Sequence, residues 1–361
     1  MGFKLPNYNY PDFNEACFKE APDAATERVS IKGIAPDNYH ATSIYPEYFK
    51  IKGKWILAEE SRMDCVVLLN EDGSLSVREF RNLMPGDEVV LGRTENCKDG
   101  IYVHARCFGE ASEADSTFSF RKGRTRESSY SKDYDSLYEL LSYEKENGYI
   151  LWVLGPAVVF DYDSKNAMAG LIKKGYVDAL FAGNALATHD LEGSVLNTAL
   201  GQDIYNQKSV ENGHYNHIDI INRARRAGSL EKFIHTEDIQ DGVVHACISN
   251  QIPLVLAGSI RDDGPLPSVI PNVYEAQNAM RSYCKKATTV ICLATQLHTI
   301  ATGNMTPMYR VIEDGIRPVY IYTVDISEFG VNKLRDRGTL EVTSIVTNVQ
   351  DFVCNLDNNL K

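Results

Sequence analysis

What this chain lacks narrows it first. No apolar run approaches the ~18 residues of a membrane-crossing helix, and Met1 to Tyr10 holds neither the basic segment nor the apolar core of a secretory signal. No membrane span and no export signal are expected. Positive charge is in deficit, 37 Lys and Arg against 49 Asp and Glu for a formal net charge of −12. That balance argues against nucleic acid or an anionic membrane surface as the main partner. The eight cysteines (17, 65, 97, 107, 247, 284, 292 and 354) form no C-x-x-C. Scattered thiols fit a reducing, cytoplasmic compartment better than a disulfide framework. No Gly-x-Gly occurs anywhere, so the G-x-G-x-x-G fingerprint is missing and a dinucleotide site with ordinary phosphate wiring is disfavoured. No Gly-x-Ser-x-Gly elbow is present, which leaves nucleophilic catalysis little support. His214 and His217 sit three apart with no Cys or second His pair near them, and no metal is expected.

What is present suits a globular chain of about two domains, with 361 residues, 43% apolar and 24% charged. Residues 1–26, rich in Pro, Asn and Tyr, read as an N-terminal arm. Residues 27–120 carry short β-like runs at 48–56, 64–69, 74–78, 88–91 and 101–104, with Asn70-Glu71-Asp72-Gly73 as a hairpin turn. This predicts a smaller β-rich domain, in which His40, Cys65 and His104 read as packed or surface residues rather than catalytic ones. Residues 121–132, with Arg121, Lys122, Arg124 and Arg126, read as a basic solvated linker. A helix over 133–147 follows, ended by Gly148.

From Tyr149 onward strands and helices alternate, so residues 121–361 are read as one α/β domain. Strands are expected at 150–154, 177–182, 254–260, 289–293, 319–324 and 344–346. Helices are expected after Ser164 as cap, up to Gly228, over about 238–250, and after Asn272, where Glu275 completes a capping box. Such alternation implies a parallel, right-handed, Rossmann-like sheet. Several strands end in small and polar residues: Gly155-Pro156, Gly183-Asn184 with a loop running on to His189 and Asp190, Gly258-Ser259, Gly303-Asn304, and Asp325. Glycine there lets backbone N–H groups approach a phosphate, and an acid that closes a strand, such as Asp325, suits a ribose.

The most unusual stretch is 254–267. An apolar run ends in Gly258-Ser259-Ile260-Arg261, then two adjacent carboxylates, Asp262 and Asp263, then Gly264-Pro265-Leu266-Pro267. It reads as a buried parallel strand opening into a rigid loop, where ligands of open α/β sheets bind. Adjacent side chains of an extended loop point oppositely, so one aspartate is expected to face a ligand. The plainer reading of both is a solvated acidic loop.

Three strings carry a resemblance: Asn184-Ala185-Leu186-Ala187-x-His189-Asp190, the run from Leu256 to Pro267, and Leu297-His298-x-Ile300-Ala301-x-Gly303-Asn304. They resemble the archaeal and cyanobacterial type of ornithine cyclodeaminase, a family also described as related to lysine-oxoglutarate reductase/saccharopine dehydrogenase. The likeness extends to Met63-Asp64-Cys65, Gly155-Pro156-Ala157-Val158-Val159 and Val324-Asp325-Ile326, and covers roughly residues 35–355. Family members commonly carry a further N-terminal domain; here a short arm precedes residue 35.

The resemblance implies a β-rich subdomain joined to an NAD-binding sheet like that of deoxyhypusine synthase, which would hold a dinucleotide without the glycine fingerprint. It implies conversion of L-ornithine to L-proline and ammonia with NAD recycled: hydride loss to an imine, closure by the δ-amine, loss of ammonia, hydride return. On this reading Gly155, Pro156, Gly183, Asn184, Asp190, Gly258, Ser259, Gly303, Asn304 and Asp325 hold NAD. Asp262 or Asp263 meets the substrate's distal ammonium, Arg261 or another arginine its carboxylate, and His189, Asp190 and Asn304 are second-rank candidates. A homo-oligomer acting on a small amino acid is expected. Two other readings stay open: an NAD-dependent amino-acid dehydrogenase or cyclic-imine reductase on the same scaffold, with net cofactor turnover, and a non-catalytic NAD- or amino-acid-binding regulatory protein.

Overall fold

The computed structural model describes residues 3–108, 131–260, 262, 264–313, 315–327 and 341–361, without the side chains of 131–133 and 341. After the one-turn helix α1 (Ala16–Lys19) come seven short strands: β1 (Thr26–Arg28), β2 (Glu47–Ile51), β3 (Lys54–Leu57), β4 (Val66–Leu69), β5 (Leu75–Arg78), β6 (Glu88–Val90) and β7 (Ile101–Val103). They pair antiparallel into two sheets, ordered β1-β6-β4-β5 and β3-β2-β7. The single run expected over 48–56 is in fact a hairpin. Lys52 and Gly53 both take positive φ (49° and 76°), which a two-residue turn of the right twist requires, and β2 folds back on β3. Phe49 and Ile101 of one sheet and Val67 and Val77 of the other close a shared core. His40 is packed there on Glu47 at 3.1 Å, and His104 on the Asn9 carbonyl at 2.6 Å. The basic linker lies outside the described residues up to 130.

The remainder runs α2 (Ser131–Asn147), β8 (Ile150–Leu154), α3 (Tyr162–Lys173), β9 (Ala179–Gly183), α4 (Asn184–Leu196), the hairpin β10 (Thr198–Ala199) and β11 (Gln202–Asp203), α5 (Asn216–Ala227), α6 (Leu230–Thr236), α7 (Val243–Ser249), β12 (Leu254–Ala257) and β13 (Val269–Ile270). Then come α8 (Val273–Cys284), β14 (Thr289–Leu293), α9 (Gln296–Met305), the hairpin β15 (Tyr309–Ile312) and β16 (Gly315–Pro318), β17 (Tyr320–Asp325), β18 (Glu341–Val346) and α10 (Val349–Asn359). Seven of these strands make one parallel sheet, ordered β13-β12-β9-β8-β14-β17-β18. Burial on both faces explains the unbroken apolar runs. Ile150, Trp152 and Leu154 of β8 enter the core under α3 and α7, whereas Leu151 and Val153 enter the core under α8.

Local signals placed most of these ends. Asn272 caps α8, accepting from the Tyr274 and Glu275 N–H groups at 2.9 and 3.3 Å. The cap of α3, however, is Asp161 rather than Ser164: its carboxylate accepts from the Asp163 and Ser164 N–H groups, while Ser164 Oγ turns inward to the Val158 carbonyl at 2.8 Å. The loop expected over 183–190 is helix from Asn184 on, within α4, and Gly303-Asn304, expected at a strand end, lies in the last turn of α9. Gly, Thr and Asn are weak helix formers, but burial of Leu186, Thr188, Thr299 and Thr302 overrides that preference. The helix expected over 238–250 starts only at Val243, after Asp238 and Gly242 take positive φ; α6, which Ser229 caps by accepting from the Lys232 N–H, was not among the expected helices.

The β-rich unit is clamped to the sheet by charge. Glu79 meets Arg62 of its own unit at 2.6 Å and Arg281 of α8 at 2.7 Å, and Glu60 meets Lys285 at 2.6 Å. Burial alone would raise the Glu79 carboxyl, but the Arg62 and Arg281 guanidiniums pull it from its ordinary 4.5 down to about 2. A depressed carboxyl contributes stability that is fully present above its unfolded value and lost as pH falls through its folded one. The stability gap between the parent and Glu79→Gln should therefore close as pH falls from about 4.5 toward 2. Urea unfolding across that range measures it, and a gap independent of pH would remove Glu79 from the clamp.

Candidate active site

The strand order sets where a ligand can lie. From β8 the chain moves outward through β9, β12 and β13; it then returns to the other side of β8 for β14, β17 and β18. Loops leaving β8 and β14 diverge, and the crevice beyond a reversal of this kind is where such sheets bind dinucleotides. The six strands from β12 to β18 have the 3-2-1-4-5-6 order of that rule. At the reversal the Gly155 N–H donates to the Leu293 carbonyl at 2.7 Å, and a Cβ on residue 155 would lie 2.0 Å from the Ala294 carbonyl oxygen. Only glycine allows that approach.

A cavity of about 370 Å³ sits there, walled by Gly155 and Pro156 after β8, Gly183 and Asn184 where β9 meets α4, Ser259 and Asp262 after β12, and Thr295 and His298 after β14. Gly183 caps α4 with no side-chain acceptor, and residues 184–186, whose amides begin that helix, border the cavity. The Asn184 side chain accepts from the Leu266 N–H at 3.0 Å, tying the Gly-Pro-Leu-Pro loop to the start of α4.

One turn into α4, His189 faces the cavity with its other nitrogen held from behind. Nδ1 lies 2.7 Å from Glu192, which is wholly buried. Asn216 donates to Thr198 Oγ1 at 2.8 Å, so the Thr198 hydroxyl hydrogen points at the second Glu192 oxygen, 2.7 Å away. Both carboxylate oxygens thus accept. The His189 proton belongs on Nδ1, which leaves Nε2 as the basic nitrogen. Phe160 packs edge-on against the imidazole at 5.5 Å, and His217 of α5 lies 6.1 Å away.

The opposite wall carries His298 and Asp262. Burial lowers the His298 imidazole below its ordinary value, and the negative charge of Asp262 opposes that shift. Gly183 makes room for the ring, since a Cβ there would lie 3.2 Å from His298 Cε1. Asp262 folds back to accept from the Ser259 N–H at 2.8 Å, and Ser259 Oγ lies 3.4 Å from its other oxygen. Asp262 is the one carboxylate among the described residues that line the cavity.

The sequence-derived set is only partly gathered here. Gly155, Pro156, Gly183, Asn184, His189, Ser259 and Asp262 border the cavity. Gly258 does not; it lets β12 approach β13, and a Cβ there would lie 3.1 Å from the Ile270 carbonyl. Asp190 is wholly buried on the far side of α4, where its oxygens accept from the Val243 and Val244 N–H groups at 3.0 and 2.7 Å at the start of α7. Burial raises its carboxyl, opposed by Lys165 and those two amides. Gly303 and Asn304 occupy the last turn of α9, remote from the end of β14. Asp325 closes β17, one strand beyond β14, and caps the Ser327 N–H at 2.9 Å instead of bordering the cavity. Arg261 and Asp263 lie outside the described residues. Sequence reasoning passed over Leu200 and gave no role to His298, although the latter stood in a quoted string. His217 was noted only beside His214, whose ring lies tilted against Tyr215 at 4.3 Å. No group of three His, Cys, Asp or Glu side chains among the described residues could hold a metal.

The profile of the family described as "Arginine dihydrolase ArgZ-like, C-terminal, Rossmann fold" matches residues 137–356. The chain belongs to that family. Among curated relatives of this ArgZ-like chain, ornithine cyclodeaminase of Methanopyrus kandleri is 38% identical, covering 91% of this chain and 76% of the relative. The bifunctional arginine dihydrolase/ornithine cyclodeaminase AgrE of Nostoc is 35% identical over 92% of this chain and 46% of its own length. Among solved structures, a conserved LOR/SDH protein from Methanococcus maripaludis superposes with a TM-score of 0.84 at 32% identity, covering 94% of this chain and 98% of that one. The ternary complex of AgrE with ornithine and NAD+ gives a TM-score of 0.59 at 32% identity, covering 94% of this chain and 46% of that one.

The opposed surroundings of His298 have a measurable consequence. Its NMR titration midpoint should fall below the ordinary histidine value of about 6.5, and Asp262→Asn, which removes the charge that favours the imidazolium, should lower it further. An upward move in the variant would show that Asp262 does not face His298.

Proposed function

We propose that this ArgZ-like chain is an NAD-dependent ornithine cyclodeaminase, an ammonia-lyase that converts L-ornithine to L-proline and ammonia with no net redox change. The observation that carries the reading is the wall chemistry of the strand-end cavity: one carboxylate, Asp262, shares it with three imidazoles, those of His189, His217 and His298, the first oriented by a buried carboxylate. It is joined by relatives named for that activity at 38% identity and by the AgrE complex with ornithine and NAD+. A dinucleotide suits the site on this structure's own terms. The strand order supplies the crevice, the α4 amides supply donors without a capping side chain, Gly155 lets β8 and β14 close beneath it, and Gly183 leaves room for the His298 ring. Bound NAD supplies a reversible hydride acceptor, so that oxidation at the substrate's α-carbon and reduction of the later cyclic imine need no outside redox partner.

The chain's own residues do the rest. His189 Nε2, its partner nitrogen fixed by Glu192, takes the proton that leaves the α-ammonium. Asp262 pairs with the distal ammonium and can relieve it of a proton, which frees the δ-amine to attack. His298, held toward its neutral form, adds no repulsive positive charge beside a substrate that carries two. Arg261, as sequence reasoning has it, holds the substrate carboxylate; the first amides of α4 are a second donor set for an anion. The eight cysteines are all unpaired, in keeping with a cytoplasmic setting. No helix among the described residues is long and apolar enough to cross a membrane. The chain works as a homo-oligomer. Exposed Ile260, Leu297 and Ile326 follow the ends of β12, β14 and β17 at the same edge of the sheet and give apolar surface for a second copy. Light scattering should return a multiple of 40.4 kDa, and a monomer at working concentration would exclude the assembly.

Purified protein given ornithine and NAD should release one ammonia and one proline per ornithine with no build-up of reduced cofactor. Stoichiometric reduced cofactor would mark a dehydrogenase instead, and ligand binding without turnover a regulatory protein. Asp262→Asn keeps size but removes charge and basicity, so ammonia release should fall by roughly 10²–10⁴-fold while NAD stays bound. Near-parental release from that variant would return Asp262 to the role of a solvated loop carboxylate.

A further inference from the structure

Leu200 is a leucine in a position that local backbone chemistry assigns to other residues. Register pairs Thr198 with Asp203 and Ala199 with Gln202, which leaves Leu200 and Gly201 as a two-residue turn between β10 and β11. Both have positive φ, 53° and 73°. A hairpin turn of that kind strongly prefers Asn, Asp or Gly at its first position, because a side chain there crowds the backbone. A second such turn, between β2 and β3, has Lys52, a polar chain that stands in water. Leu200 instead leaves an apolar chain 57% exposed, and it does so at the wall of the cavity that holds His189.

The turn cannot easily move away. Thr198 is fixed on buried Glu192 and by Asn216, so the hairpin shares its anchor with the group that orients His189. Gly201 is pressed against Gly213, where a Cβ on residue 213 would lie 2.6 Å from the Gly201 carbonyl oxygen. The Val210 N–H donates to that same carbonyl at 3.0 Å. An unfavourable residue conformation held from several sides, with its side chain at a ligand cavity, points to a role in binding.

We infer that Leu200 is a specificity-determining cover of the site: it packs, with Ile221 of α5, on the carbon chain of the bound diamino acid and keeps the cyclic imine from leaving. This rests on the function proposed above. With NAD+ bound, ornithine would give up a hydride, ammonium and one proton in becoming the cyclic imine, and return of the hydride together with a proton would yield proline. If the imine escapes first, the imine, ammonium, a proton and the reduced cofactor are what remain, so a breached cover leaves a visible trace.

Leu200→Asn is the informative variant, because asparagine suits the turn and removes the apolar cover. Its thermal midpoint should equal or exceed the parent's, and calorimetry should show parental NAD affinity. Ornithine affinity of the NAD-loaded protein should weaken by about tenfold, as loss of an apolar contact predicts. Turnover should leave reduced cofactor and cyclic imine, with less than one proline per ammonia; Leu200→Met, which keeps the apolar bulk, should restore both. Parental ornithine affinity in Leu200→Asn would overturn the inference, as would full coupling of proline to ammonia. If the parent itself releases no ammonia from ornithine, the proposed activity fails, and the binding comparison still decides whether Leu200 touches the amino acid.

Discussion

β8 and β14 lie in register to their last residues, and the contact that ends them governs everything above the sheet. The Gly155 N–H meets the Leu293 carbonyl, and the Ala294 backbone, at φ 48°, fills the space a side chain at 155 would need. From this pinch one chain turns toward α3 and the other toward α9, and the cavity opens between them. A glycine at the end of the first strand usually suggests phosphate wiring. Here its demonstrable duty is close backbone approach, which is why a single glycine suffices where the familiar fingerprint has three.

Around that opening, two imidazoles have been given different characters by their surroundings. His189 has a buried carboxylate behind it whose two oxygens are both engaged, so its tautomer and direction are set by the fold. His298 has no such support among the described residues; burial disfavours its charged form, and Asp262 only partly offsets that. Placing a directed base and a neutral ring on opposite walls suits a substrate whose amino groups must lose protons in sequence. The carboxylate that orients His189 also anchors the hairpin bearing Leu200, so base orientation and cavity cover depend on one buried group.

The β-rich unit contributes no described side chain to the cavity lining. Its contacts with the sheet include Ile44, packed on the core under α8, and a polar set: Glu79 bridges Arg62 and Arg281, and the Tyr309 hydroxyl, wholly buried, donates to the Ala58 carbonyl. Such polar contacts are sensitive to geometry and charge. They fix the orientation of α8, which packs on β12 and so bears on the strand that leads to Asp262.

By itself the sequence determined the parallel sheet, because unbroken apolar runs of strand length between capped helices have few other solutions. Asn272 capping α8 and the run 289–293 becoming β14 are local facts read from local residues. It also determined the family, through strings such as Gly258 to Pro267, and placed His189 and Asp262 at strand ends. What only the tertiary structure decided is which polar residues share a space. His189 and Asp190 are neighbours in the chain, yet a helix turns successive residues by about 100°, so one faces the cavity and the other is spent on the start of α7. Asp325 and Asp262 each follow a strand, but strand order puts one beside the cavity and the other beyond its edge. His298 and Leu200 have no motif of their own. Their roles come from a reversal in strand order and from a turn pinned by distant residues, neither of which is written in any single stretch of the chain.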